Sequence, residues 1–479
     1  MIGKTVTAGL VLLLAVACTG QTPPRTQPGK AAAGGTPACA PPQRGPGIAA
    51  ETPATIDVIE QAYRCILANY YSGTTLDARS LLSAGFVAFT QELNRSGRDL
   101  AEATLPAFAG DREADWAAFE AAYRRVTDRL PPDAGLRAKL AAATLRAIVA
   151  ALGDNHARWT SGVQRPPDSY DDDQYGLGLR ANIGPQVAGN PGAALPPLFV
   201  TSVLGGPAKK AGLRPGDVIE SINDSAPFIK GEVTPAAIAR LYPQYPEAAA
   251  VRLRLLRQDT GRRWSVTLKP GLYQPDPETT QLVTAKLPRD DIAYVRLRGF
   301  APDAANRVFK AIARLRTGRT LTGVVLDLRG NGGGSPVEAT RLLSGFAHGK
   351  VTAYQCAVDG TCETTRTDDS VALLNLPLVV LTDRACASAC EHFSSAVKDL
   401  RLGRLVGTRT AGVISGPAQP YLLGNNTMLG FPSKHHLAPG REVIDRVGVA
   451  PDDYVPLTPT DAAAGRDPAL ARALTLLHK

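Results

Sequence analysis

Long apolar runs, blocks of one charge and metal-ligand spacings are all missing from this chain of 479 residues. Each absence removes a class of function. The apolar stretch TAGLVLLLAVAC at 7–18 falls short of the ~20 residues that a membrane-spanning helix needs. The 53 basic and 44 acidic residues leave a net charge of +9, but they are scattered. No Lys/Arg block is interleaved with aromatics, so nucleic acid is not an expected partner. What remains is a mild, unspecific pull toward anionic surfaces. None of the seven cysteines is spaced with the His/Cys partners of a zinc site. The glycine-rich GNGGGS at 330–335 lacks the Gly-Lys-Ser/Thr of a phosphate loop and the dinucleotide-binding spacing. No repeat is present, and no cofactor or metal is expected.

What is there begins with a targeting segment: Lys4, then a short apolar core ending in small residues. Ala15-Val16-Ala17-Cys18 resembles a bacterial lipoprotein signal. The resemblance implies cleavage after residue 17, lipid on Cys18 and an extracytoplasmic, membrane-anchored protein at the cell surface or in the periplasm. Residues 18–50, rich in Pro, Gly, Ala and Thr, cannot bury a core and read as a tether. With Cys18 used by lipid, Cys39, Cys65, Cys356, Cys362, Cys386 and Cys390 remain. An even number in an oxidising compartment permits disulfides. Cys356 and Cys362 flank AVDGT, whose Asp359-Gly360 is a hairpin-turn signal, so a local bridge is expected there.

Residues 51–168 read as helical: Ile56, Ile59, Tyr63, Ile66 and Leu67 recur at helical spacing, and the pattern continues to the break at GDNHARW. Residues 169–272 alternate like strands, in LFVTSV and VRLRLLR. Residues 273–479 alternate strands (IAYVRLRGF, LTGVVLDLRG, LPLVVLTD, LGRLVG) with helices (PDAANRVFKAIARLR, SPVEATRLLSGF, ASACEHFSSAVKDL). That order implies an α/β layer domain.

Three motifs carry chemistry. YGLGLR at 175–180, with VTSVLGGPAKKAGLRPGDVIESIN at 200–223, resembles a PDZ domain of the bacterial protease type. The N–H groups of Leu177, Gly178 and Leu179 would receive a peptide's terminal carboxylate, while the peptide adds as a strand. In VVLDLRGNGGGSP at 324–336, glycines let backbone N–H groups approach a developing negative charge. In LTDRACASACEH at 381–392, Ser388 and Glu391 fit a helix capping box. The flanking strand, sharp turn and helix would also place the Ser388 hydroxyl, the Ala389 N–H and a helix N-terminus at one point.

Together these stretches resemble the C-terminal processing peptidases, or tail-specific proteases. In order they are a helical region ending at LGDNHAR, a PDZ insertion, DLRGNGGG, CASACE where that family favours Ser-Ala-Ser-Ala-Ser-Glu, and a terminal VGVAPDDYV. The resemblance implies a crotonase-like α/β core with an inserted PDZ domain and an N-terminal helical region. It implies a serine peptidase acting on peptides or unfolded proteins, with Ser388 as nucleophile and Gly333 and Ala389 as oxyanion donors. It also sets Asp399 where the family has an Asp at the end of the nucleophile's helix. Where the best-known branch has its lysine, this chain has Val413, which cannot accept a proton. A second branch, similar to the tricorn protease, uses a histidine in the loop before the PDZ domain, and His156 occupies that place. That branch's acid falls at Asp445, with Glu442 and Asp452 as competitors, and its serine beside the histidine is Asn155 here. His392, one helical turn after Ser388, and His435 with His436 are rival bases. The cysteines beside Ser388 have three readings: small replacements for the family's serines, which is preferred; a bridge across one turn; or a thiol nucleophile. The competing class is a non-catalytic peptide or lipid binder, as in relatives that resemble retinoid-binding proteins.

Overall fold

The computed structural model describes residues 39, 50–162, 166, 169, 172–184 and 194–478. The expected lipid site at Cys18, the signal at 1–17 and most of the tether at 18–50 lie outside the described residues. Among the described residues, no helix is long and apolar enough to cross a membrane.

Four helices open the chain: α1 (Ile56–Asn69), α2 (Ala78–Arg95), α3 (Arg112–Thr127) and α4 (Ala134–Ala150). Each starts on a side-chain cap, from Thr55, Asp77, Asp111 and Asp133 respectively, which satisfies N–H groups that a helix start leaves open. Their apolar faces meet around Ile59, Leu81, Phe89, Phe119 and Leu140, all fully buried. The same cluster takes in Leu423, Leu429 and Phe431 from far down the chain. After α4 the chain turns through residues 151–157 and enters strand Arg158–Thr160, which pairs antiparallel with strand Met428–Pro432.

The alternating segment forms β1 (Leu179–Ala181) paired with β2 (Val200–Val203), and β3 (Val218–Ile222), β4 (Val251–Leu256) and β5 (Arg263–Leu268) in a second sheet. Helix α5 (Pro235–Leu241) contributes Ala237, Ile238 and Leu241 to the same core.

A six-stranded sheet follows: β6 (Val283–Arg289), β7 (Ile292–Leu297), β8 (Gly323–Asp327), β9 (Leu378–Thr382), β10 (Gly403–Gly407) and β11 (Asp453–Tyr454), in that spatial order. Only β6 is antiparallel; the rest run parallel. Parallel strands need covered faces and continuous apolar sequence, and VVLD and LVVLT supply it, with every residue of β8 and β9 buried. Helices α6 (Ala304–Arg316), α7 (Pro336–Ser344) and α8 (Ala389–Asp399) pack on one face. Helix α9 (Pro468–Leu476) covers the other with Ala469 and Ala473. The C-terminal ends of β8 and β9 lead into the two loops that the sequence singled out.

Candidate active site

Ser388 sits where β9 ends and α8 begins, at φ 56° and ψ −119°. A non-glycine residue held at positive φ is strained, and the surroundings must impose it. Here the Ser388 N–H is pinned by the Val413 carbonyl at 2.9 Å and by Glu391 Oε2 at 3.2 Å. The Glu391 side of the expected capping box is thus present. Gly333, at φ 98°, lies against this elbow. A Cβ there would come 2.7 Å from Ser388 Cβ and 2.6 Å from the Ala387 carbonyl, so no larger residue fits.

The His156 ring reaches this hydroxyl from the α4 turn. Its Nε2 is 3.2 Å from Ser388 Oγ. Its Nδ1 is 2.7 Å from Asn155 Oδ1, and the Asn155 Nδ2 donates to Asp445 Oδ1 at 2.6 Å. A carboxylate only accepts, so Asp445 fixes which end of the Asn155 amide faces it. The amide oxygen then faces Nδ1 and holds the proton there, leaving Nε2 as the acceptor. Asp445 therefore acts on the ring through Asn155, not by the direct contact that its place in the sequence suggests. Glu442 and Asp452 lie elsewhere: Glu442 is exposed beside Asp399, and Asp452 accepts from the Leu405 N–H. Burial lowers the proton affinity of His156 below the ordinary histidine value, with Asp154 and Asp445 opposing that effect.

Two supporting carboxylates frame the site: Asp154, which had no signal in the sequence beyond its nearness to His156, and Glu391, which the sequence offered only as a helix cap. Asp154 accepts from the His156 N–H at 2.8 Å, the Ser415 hydroxyl at 2.7 Å and the Tyr70 hydroxyl at 2.9 Å. Glu391, fully buried, accepts from Thr410 Oγ1, the Gly412 N–H and the Val413 N–H at 2.6–2.7 Å. Burial raises its carboxyl to about 7. Val413 thus contributes only backbone, one N–H to Glu391 and one carbonyl to Ser388.

The rival bases are elsewhere. His392 is buried against Thr352, 3.2 Å away, and burial drops it to about 4. His436 faces Gln355, and His435 stacks on Tyr71. Asp399 accepts from the Gly440 N–H at the far end of α8.

One expectation needs correction, at the cysteines. The Gly333 N–H, beside the Ser388 elbow, donates to Asn331 Oδ1 at 2.9 Å. The Ala389 N–H has no partner among the described hydrogen bonds. Cys386 and Cys390 are not merely small substitutes: they are bridged, so neither is a free thiol. Their separation of four residues brings the Cα atoms to 5.4 Å, within disulfide reach. Cys356–Cys362 is bridged as expected, and Cys39 pairs with Cys65.

In the β1–α5 region, the carbonyls of Leu177 and Gly178 accept from the N–H groups of Ala208 and Leu204 at 2.8 Å. A trans peptide sets its N–H opposite its carbonyl, so the Gly178 and Leu179 N–H groups face the other way. A cavity of about 200 Å³ lined by these residues and Tyr242 adjoins them. Gly178 has φ 79°, and a Cβ would meet the Gly205 carbonyl at 2.1 Å.

Fold and site together define a peptidase-type α/β core joined to a PDZ domain. Residues 291–455 match the model of peptidase family S41, and residues 171–238 match that of the PDZ domain. The chain is 31% identical over 285 residues to the chloroplastic carboxyl-terminal-processing peptidase 2 of Arabidopsis thaliana, covering 59% of this chain and 53% of that protein. It is 29% identical over 283 residues to the carboxyl-terminal-processing protease of Synechocystis sp., covering 58% and 62%. The chain thus spans between half and two-thirds of the length of these two relatives. The crystal structure of mature CPAF shares the fold at a TM-score of 0.54, with 12% identity over 88% of this chain and 95% of that one. Over these stretches the chain is thus similar to an S41 peptidase domain, to a PDZ domain and to carboxyl-terminal-processing proteases.

Proposed function

We propose that the protein is a serine endopeptidase that cleaves peptides or unfolded proteins whose C-terminus docks on the PDZ domain. The observation that carries this reading is the 3.2 Å approach of His156 Nε2 to Ser388 Oγ, on a ring whose tautomer suits proton acceptance. Ser388 Oγ attacks the peptide carbonyl as its proton passes to His156 Nε2. The charged ring is stabilised through Asn155 by Asp445. The oxyanion meets the Ala389 N–H at the start of α8. Gly333 serves as a second donor once its bond to Asn331 is exchanged. The proton then moves from Nε2 to the leaving amine, the C–N bond breaks, and water releases the acyl-enzyme. The six cysteines other than Cys18 are all paired, which fits an oxidising, extracytoplasmic compartment with Cys18 as the lipid-bearing residue.

The test is fluorophosphonate labelling alongside hydrolysis of tailed peptides. Ser388→Ala abolishes both. His156→Ala lowers the rates by about 10²–10⁴-fold. Labelling that survives Ser388→Ala removes the nucleophile assignment, and full activity in His156→Ala removes the base. A non-catalytic binder takes no label at all.

A further inference from the structure

A cavity of about 1040 Å³ lies between β1 and α5 on one side and the loops after β7, β8 and β9 on the other. Arg180, Arg296, Arg298 and Arg384 line it. None of the four has an ion-pair partner among the described residues. Arg329, on the same wall, shows the contrast: its guanidinium is held by Asp327 and Asp467. The Nε atoms of Arg296 and Arg298 are buried without a hydrogen-bond partner. Their other contacts are to backbone carbonyls, Arg296 to Arg329 at 3.4 Å and Arg298 to Glu278 at 3.0 Å. The unopposed acid on the wall is Asp383, whose Oδ1 accepts from the Gly330 and Ala385 N–H groups.

Gathering like charges in a half-buried space without counter-ions costs stability. Burial and the neighbouring Arg296 and Arg180 depress the Arg298 guanidinium to about 10, so it stays charged at neutral pH. Planar guanidinium forks recognise carboxylates in pairs of hydrogen bonds. The cavity adjoins the smaller one beside the Gly178 loop, and Arg180, Leu204, Tyr242 and Gln244 line both. β1 is paired on one edge only, by β2, so a peptide added along its other edge passes these arginines.

We propose that this arginine basin is a specificity site for acidic side chains in the substrate's tail, a few residues before its C-terminus. This rests on PDZ docking as read above, and it adds a substrate class: polypeptides with Asp- or Glu-bearing tails.

The test uses the full-length protein with Ser388→Ala, to keep peptides intact, and fluorescence anisotropy. The peptides are a neutral tail, the same tail with two Asp residues upstream of the terminus, and one with two Lys residues, each as free acid and as C-terminal amide. The acidic tail binds about tenfold or more tighter than the neutral one. The advantage persists in the amide pair and shrinks in Arg298→Gln. Arg180→Glu shifts preference toward the Lys tail, a reversal that misfolding cannot produce. Equal binding of acidic and neutral tails overturns the basin and leaves docking intact. An advantage that vanishes in the amides assigns the arginines to the terminal carboxylate and overturns it too. If no tail binds, the docking reading itself falls and the basin with it.

Discussion

Asn155 is the residue whose part in the site is hardest to read from its letter. Beside a histidine it resembles a loop filler, and only the amide's orientation, set by Asp445 at 2.6 Å, reveals a link between acid and ring. Ser388 and His156 were legible because each stands in a motif. The φ of 56° at Ser388 was not, since it depends on Val413, 25 residues on, gripping its N–H together with the nearby Glu391. Two outcomes follow at this scale. His156 must be neutral to accept a proton, and burial lowers its affinity from the ordinary value of 6.5. The acid limb of kcat/KM therefore lies below pH 6.5. Asp445→Asn removes a charge that favours the protonated ring, so the limb moves further down, with a loss of activity as the tautomer control weakens. A pH–rate series on both proteins checks the direction. An upward move would place Asp445 outside the relay.

Helices and strands were readable at the scale of elements because period and propensity are local. What the local pattern could not carry was partner choice. Strand Arg158–Thr160 pairs with Met428–Pro432, some 270 residues on, and Trp159 Nε1 bonds Thr427 Oγ1 at 2.9 Å. This pairing positions the turn that bears His156. Phe431, fully buried between the helices and this strand, is its main apolar anchor. Phe431→Ala should cost about 3–5 kcal/mol in chemical denaturation and slow fluorophosphonate labelling of the protein that stays folded. Glu391 ties the start of α8 to the 410–413 segment. Its carboxyl, raised to about 7 against 4.5 for a free glutamate, holds a proton in the folded chain across a window where the unfolded chain has lost it. Its contribution to stability therefore falls as pH rises from 4.5 to 7. Glu391→Gln flattens that slope and loosens the 410–413 segment, measurable as melting temperature against pH. A slope left unchanged would mean that Glu391 does not titrate there.

Over the whole molecule, the order of segments was legible: helices, strand-rich insertion, alternating α/β core. The cavity between insertion and core was not, because its walls come from β1, α5 and three loops that are far apart in sequence. Composition gave only a diffuse net charge of +9; folding concentrates part of it at one wall. The cysteines show the same limit. Even number and compartment allowed bridges, and a Cys386–Cys390 bridge was one of three readings, but only the folded turn selects it over small substitutes. Opening that bridge releases two thiols flanking Ser388, so labelling of native protein should fall on reduction while Cys356→Ser/Cys362→Ser protein responds alike. A rate indifferent to reductant would make the 386–390 bridge a bystander.

The proposed base, which Val413 does not supply, comes from a turn 232 residues before the serine. The Ser388 hydroxyl meets the His156 ring only in a fold where the opening helices rest on strand Met428–Pro432. For an enzyme whose proposed substrates are unfolded polypeptides, including its own siblings during synthesis, that arrangement works as a safety interlock.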